Sequence, residues 1–339
     1  MKFLIAGLGS IGRRHLRNLM ALGQKDIVLY RTNKSSLPDE ELDGFTVEYS
    51  LEEALGHHPH AVIVSNPTHL HVKTAVPAAE AGCDLFLEKP IAFRIDELSE
   101  LEKVISGRDI RFFSAFQFRF NPGLKKIKEI LDTREIGQPL SYRCHWGEYL
   151  PDWHPWEDYR DSYAARKDMG GGVVLTLCHP MDYLGWLFGD VRNLFAVTGN
   201  NGMLDIEVED FAEVIMEHRN GVAGNLHLDY YRKPKRHDLE ITCTEGVVGW
   251  DYKDSSVWMD RKGKGRTVIE APEGYERNWM FLEEMKHFIR VVKREEHPAC
   301  TYEDGKKALN IAWGILHSGI YRKPVVFHQT ILEGKESYE

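Results

Sequence analysis

Short apolar runs recur through the first third of the chain, separated by segments whose apolar residues fall every three or four positions. The runs KFLIA, DIVLY, AVIVS, DLFLE and RFFSAF read as buried strands. The segment up to Gly23, then SLEEAL, HLHVKTAVPAAEAG and IDELSELEKVIS, read as helices between them. Such alternation predicts a parallel sheet with helices on both faces. Local punctuation agrees: Ser50 and Glu53 make a capping-box pair, and Gly23 and Gly82 stand where helices stop.

After residue 118 the rhythm changes. An amphipathic helix is predicted over 122–135, with Leu124, Ile127 and Leu131 on one face. Longer strand-like stretches follow: LSYRCHWGEYL, NLFAVTGN, DFAEVIMEHRNGVAGNLHLDYY, HDLEITCTEGVVGWDY and SSVWMDRKGKGRTVIEA. Turn pairs at Asn220-Gly221 and Glu245-Gly246 divide several of them, as hairpins require. This half predicts an open, mainly antiparallel sheet, with helices over 170–188, 276–293 and 303–321 on one of its faces. Two domains also suit a length of 339 residues, since single cores stop growing near about 250–300 residues.

Composition narrows the partners. A formal charge of −9 and a pI near 6.0 argue against a dedicated nucleic-acid surface, which carries a basic face. A small-molecule partner is expected. The opening MKFLIAGLGS is too short an apolar run for a secretory signal, and no later run is long enough to span a bilayer, so a cytoplasmic location is expected and no membrane partner. Cys83, Cys144, Cys178, Cys243 and Cys300 are scattered, without a C-x-x-C pair, and read as reduced core thiols.

Chemistry is densest at the strand ends. Gly7, Gly9 and Gly12 form G-x-G-x-x-G between the first strand and a helix. The glycines provide a tight turn, close approach of backbone to a pyrophosphate, and close helix–strand packing. The helix start at Ser10 and Ile11 offers free N–H groups and a positive dipole end. A Rossmann dinucleotide-binding domain is therefore expected over 1–118, followed by an α+β substrate-binding and oligomerisation domain over 119–339, an α/β chain overall. Where NAD enzymes place an acid at the end of strand two, this chain has Tyr30, Arg31 and Thr32. Arg31, with Thr32 and Lys34, suits the 2′-phosphate of NADP, which is preferred over NAD; the alternative is a solvated basic loop beside an NAD site. Two further motifs, SNPTHLH (65–71) and EKP (88–90), follow later strands, where open α/β sheets bind ligands. Lys89, flanked by Glu88 and Pro90, is placed to reach a substrate hydroxyl.

GLGSIGRRH, SNPTHLH, LEKPIA, FQFRFNP, EIGQP and GGGVVLTLCHPMDYL occur in an order that resembles the glucose-fructose oxidoreductase / inositol dehydrogenase / rhizopine-catabolism (Gfo/Idh/MocA) family. The resemblance implies hydride transfer between NAD(P) and a secondary alcohol or ketone of a sugar, polyol or nucleotide sugar. It implies that Lys89 orients substrate, that the peptide before Pro90 is cis, and that His179 is the acid/base. It also implies that Asn66, Pro67 and His71 lie beside the nicotinamide ribose, with Glu88 and Gln117 near the cofactor. A proton acceptor is needed because the nicotinamide takes only the hydride, and histidine suits that role. Charged Lys89 would stabilise the developing alkoxide.

Relatives carry an acid one helical turn before this histidine; here counting gives Leu175 or Thr176. Asp182, three residues after His179, either orients it or makes a structural hydrogen bond. Pro180 removes a backbone donor and frees the Thr176 carbonyl, to bend the helix or face a ligand. The aromatic segment 149–168 supplies candidate substrate contacts, foremost Trp153 and Tyr163, with His154, Trp156, Tyr159 and Arg160 beside them. Arg119 either binds substrate or pins the domain junction. His69 and His71 lack a third ligand in sequence, and no metal site is expected. An open sheet face needs covering, which predicts a homodimer or homotetramer. The competing function is a catalytically silent nucleotide-sensing regulator on the same fold.

Overall fold

The computed structural model describes residues 1–32 and 40–328. Its first unit runs β1 (Phe3–Ala6), α1 (Ser10–Ala21), β2 (Ile27–Tyr30), β3 (Thr46–Glu48), α2 (Leu51–Gly56), β4 (Ala61–Val64), α3 (His71–Glu80), β5 (Asp84–Glu88), α4 (Leu98–Ser106) and β6 (Phe112–Ala115). The strands form one parallel sheet in the order β3-β2-β1-β4-β5-β6. Every residue of β1, β4 and β5 is buried, as a sheet covered on both faces demands. Strand order reverses at β1, which opens a ligand crevice at its carboxyl end, where the glycine motif lies. The edge strand β3, only partly buried, went unrecognised in the sequence because its three residues carry little apolar signal. The Ser50 hydroxyl accepts the Glu53 N–H, and Gly23 and Gly82 end their helices with φ of +78° and +79°.

The second unit comprises α5 (Pro122–Asp132), β7 (Pro139–Tyr149), α6 (Val173–Thr176), α7 (His179–Phe188), β8 (Val191–Gly199), β9 (Phe211–His218), β10 (Ala223–Asp229), β11 (Tyr231–Cys243), β12 (Gly246–Asp251), β13 (Val257–Arg261), β14 (Gly265–Ile269), α8 (Asn278–Val292), α9 (Tyr302–Tyr321) and β15 (Val325–Val326). Asn121 caps α5 by accepting the Leu124 N–H at 3.0 Å, and Leu124, Ile127 and Leu131 are buried as predicted. The sheet order is β14-β13-β12-β11-β7-β10-β9-β8-β15. All its pairings are antiparallel except β7 with β10, which makes the sheet mixed.

Two departures have clear physical causes. The helix expected over 170–188 is two helices, because Pro180 in the first turn of α7 cannot donate to Thr176. Helix α8, late in the chain, returns to the first sheet: Met285, Phe288 and Ile289 pack with Phe3, Ile5, Phe86 and Phe113. Helices α6, α7 and α9 cover the inner face of the second sheet. On its other face Phe195, Val197 and Ile215 are exposed. All five cysteines are buried and free. Among the described residues no helix is long and apolar enough to cross a membrane.

The Phe288 ring sits 5.1 Å from Phe86 and 5.9 Å from Phe113 between centroids. Phe288→Ala is expected to lower the free energy of unfolding by about 3–5 kcal/mol. Urea denaturation checks this, and a loss below about 1 kcal/mol would show that α8 does not anchor the first core.

Candidate active site

The glycine motif forms a cradle whose close contacts explain its composition. Gly7 has φ +104°, and a Cβ there would lie 2.4 Å from the Asn66 nitrogen. A Cβ on Gly12 would fall 1.9 Å from the Gly7 carbonyl oxygen. Gly9, by contrast, faces open space. It precedes α1, whose first turn, Ser10 and Ile11 included, carries no acid and no side-chain cap. These features fit the pyrophosphate of a dinucleotide: unbonded N–H groups, a positive helix end and room for close approach. The Ser65 hydroxyl steadies the turn by donating to the Gly7 carbonyl at 2.9 Å. At the end of β2, Arg31 is buried and bonds through its N–H to the Glu48 carbonyl, while Thr32 is exposed. Lys34 lies outside the described residues.

Lys89 follows β5 directly, and its peptide bond to Pro90 is cis. Its Nζ donates to the Thr176 carbonyl at 2.8 Å. Pro180 leaves that carbonyl without a helical donor, so the break between α6 and α7 creates the lysine's acceptor. Burial disfavours the ammonium, but Tyr163, Cys178 and Glu88 outweigh it, and the Lys89 pKa is raised. Lys89 is therefore charged at neutral pH.

His179 begins α7 and is almost fully buried. Its ring packs among Phe118 (centroids 4.8 Å), Phe116 (5.6 Å) and Trp146 (5.7 Å). Burial, then the charges of Lys89, His237 and Arg277, hold its pKa well below 6.5. The imidazole is neutral at pH 7. Nε2 lies 3.1 Å from the Gln117 amide nitrogen, whereas Nδ1 is buried without a hydrogen-bond partner.

Four of the candidate residues make buried side-chain contacts within the protein. Glu88 is buried and bound at 2.7 Å to the fully buried His15 of α1, so its side chain ties helix to strand. The buried His71 ring sits between the Pro90 carbonyl (2.8 Å from Nδ1) and the Asn66 carbonyl (2.9 Å from Nε2), linking the two ligand loops. Burial pushes its pKa down against the pull of both carbonyls. Arg119 grips Asp182 through Nε and Nη2, with contacts of 2.7–3.1 Å, and also reaches the Ala299 carbonyl and Asp304. In this arrangement the Asp182 carboxylate meets Arg119, and Arg119 ties α7 to the segment before α9.

Asn66 and Pro67 do line the loop after β4; Asn66 Nδ2 donates to Thr74 at 2.7 Å, and its Oδ1 has no hydrogen-bond partner. Tyr163 is half-buried and close enough to Lys89 to influence its charge. Trp153 packs edge-on against Tyr230 at 5.6 Å, and its indole N–H is buried without a partner. Thr176 contributes through its backbone, with its side chain buried near Tyr230. A cavity of about 270 Å³ lined by Arg119, Phe120, Lys125, Trp186, His287 and Arg290 lies apart from Lys89 and His179.

Sequence reasoning missed several neighbours. Trp146 of β7 and His237 of β11 stack at 4.2 Å in register, and Trp146 also stacks on His179. Period-two alternation in CHW is the one local signal for an inward Trp146, and none places β11 beside it. Arg277, just before α8, bears electrostatically on both Lys89 and His179.

Residues 1–116 match the family model described as "Oxidoreductase family, NAD-binding Rossmann fold", and residues 124–249 match "GFO/IDH/MocA C-terminal domain". Myo-inositol 2-dehydrogenase of Thermotoga maritima is 27% identical over 354 residues, covering 98% of this chain and 100% of that protein. Levoglucosan dehydrogenase of Pseudarthrobacter phenanthrenivorans is 26% identical over 247 residues, or 63% of this chain and 62% of that protein. A levoglucosan dehydrogenase solved in complex with NADH superposes with a TM-score of 0.87 at 19% identity, over 97% of this chain and 100% of that one. The two matched segments, in order and on the Rossmann cradle and second sheet just described, establish that the chain belongs to the Gfo/Idh/MocA oxidoreductase family.

Proposed function

We propose that the chain is a nicotinamide-dependent dehydrogenase that interconverts a secondary alcohol and a ketone on a sugar, polyol or nucleotide sugar. The observation that carries this reading is the charged Lys89, held on the Thr176 carbonyl beside the buried, neutral His179. Bound nicotinamide supplies the hydride acceptor or donor. The chain supplies the rest. Gly7, Gly9, Ser10, Ile11 and Gly12 hold the pyrophosphate, and Asn66, Pro67 and Gln117 border the nicotinamide end.

In oxidation Lys89 stabilises negative charge as it develops on the substrate oxygen. His179 takes the hydroxyl proton at Nδ1, the nitrogen without a protein partner. For Nδ1 to accept, the neutral ring carries its proton on Nε2 and donates it to the Gln117 side-chain oxygen, the amide being turned over from the contact through its nitrogen; the imidazolium formed keeps that same bond. The aromatic surround keeps water from the proton being moved. Trp153 and Tyr163 flank the substrate side.

The cofactor is assigned as NADP(H), with Arg31 and Thr32 at the 2′-phosphate; β2 ends without a carboxylate for the ribose hydroxyls. A second copy of the chain covers the open sheet face that exposes Phe195, Val197 and Ile215.

Lys89→Met and His179→Ala are each expected to lower kcat at least about 100-fold while leaving cofactor affinity intact. A panel of sugars, polyols and nucleotide sugars serves as the assay. Wild-type rates in either variant would refute the assignment, and cofactor binding without turnover across the panel would favour the silent regulator. Because the His179 pKa is lowered, the acid limb of the oxidation profile should lie below pH 6.5; a half-maximal kcat at or above that pH would contradict the neutral imidazole. Arg31→Ala should weaken NADP binding by about 10–100-fold and leave NAD nearly unchanged. Tighter binding of NAD than NADP by the wild type would overturn the assignment of Arg31.

A further inference from the structure

On the outer face of the second sheet, away from α6, α7 and α9, two imidazoles and a carboxylate lie together. Along β7, Tyr142, Cys144 and Trp146 point to the helices, so His145 points the other way. Its parallel neighbour β10 places His227 opposite His145 and Asp229 opposite Gly147, on that same outer face. The two rings stack with centroids 4.3 Å apart. His227 Nε2 is 2.9 Å from Asp229 Oδ2, His145 Nε2 is 3.8 Å from that oxygen, and the three ligand atoms all lie within 4.8 Å of one another. A tetrahedral ion with bonds of about 2.0–2.1 Å separates its donors by about 3.3 Å, so ring rotations that move ligand atoms by up to about 1.5 Å would close this set around a metal.

Three further features support the arrangement. His145 Nε2 is buried and has no hydrogen-bond partner, as an unused ligand nitrogen would be. His227 Nδ1 bonds to Glu213 Oε1, and Asp229 Oδ1 accepts the Tyr231 N–H at 3.0 Å. A carboxylate behind a ligating histidine is the usual means of orienting it. Gly147 is required as well: a Cβ there would lie 2.2 Å from Asp229 Oδ2 and push the carboxylate away. Two arginines, Arg232 and Arg236, also bear on His145, but Arg236 is engaged by Asp238, and Glu213 and Asp229 bring two negative charges.

We propose that His145, His227 and Asp229 bind one divalent transition-metal ion of the zinc class, with a fourth position open to water. Two imidazoles and one carboxylate suit zinc in donor type and number. The ion clamps β7 to β10, the one parallel pair in the sheet. It lies across the sheet from the face on which Trp146 meets His179, so it touches no substrate. Without an ion, His227 would serve as an imidazolium bridge between Glu213 and Asp229, and that is the competing outcome.

The test uses untagged full-length protein, stripped with a chelator and titrated with Zn²⁺ by calorimetry, then with Co²⁺ by visible absorption. The expected result is one equivalent per chain, a tetrahedral Co²⁺ spectrum and a raised Tm. His145→Ala and Asp229→Asn should each weaken Zn²⁺ at least about 100-fold, and Glu213→Gln about 10–100-fold, with cofactor binding retained. Should His145→Ala or Asp229→Asn fail to fold, Glu213→Gln, altered at an exposed group, still decides. Absence of saturable binding to the wild type would overturn the proposal in favour of the imidazolium bridge. Binding unchanged by the substitutions would overturn it by placing the ion elsewhere.

Discussion

The structure depends most on the hydrogen bond from Lys89 Nζ to the Thr176 carbonyl, which joins the first unit to the second beside His179. It exists because Pro180 has no N–H to offer that carbonyl and because α6 therefore stops one turn before α7 begins. An alanine in place of Pro180 would supply an N–H that competes for the same oxygen. The lysine arrives from the nucleotide-binding sheet, and the carbonyl and His179 arrive from the helices of the other. Relative placement of Lys89 and His179 thus depends on this contact.

Around it stand buried polar contacts within the protein. His15 with Glu88 fixes α1 against β5, His71 joins the two ligand loops, and Arg119 with Asp182 fixes α7 against the segment before α9. Removing one partner of the Arg119–Asp182 pair strands a buried charge and costs about 3–5 kcal/mol. The Glu209 carboxylate plays a similar role: it fills the space that a Cβ on Gly172 would occupy and accepts the Val174 N–H at 3.2 Å, while burial raises its pKa to about 7. Precision at the site comes from these supports, since a lysine and a histidine alone would be free to drift.

The fold was largely legible because its signals are local. Unbroken apolar runs marked β1, β4 and β5, a glycine triplet marked the phosphate cradle, and Pro180 announced the released carbonyl before any contact was known. What stayed hidden is non-local. Whether Asp182 serves His179 or Arg119 depends on where a segment more than sixty residues away returns, and the pairing is long-range. Burial by α8 of the first sheet is equally invisible to periodicity, which shows that a helix has an apolar face but not which sheet receives it. The cluster of His145, His227 and Asp229 belongs to the same class, since strand register creates it.

The central claim is that Lys89 and His179 meet one substrate oxygen, with the Thr176 carbonyl holding the lysine in place. A crystal structure of the ternary complex with nicotinamide cofactor and an unreactive sugar or polyol tests it most directly. The account predicts Lys89 Nζ within hydrogen-bond distance of both the Thr176 carbonyl and the substrate hydroxyl, His179 Nδ1 on that same hydroxyl, and nicotinamide C4 facing its carbon. A substrate hydroxyl bound away from both side chains, or a lysine turned off Thr176, would contradict it.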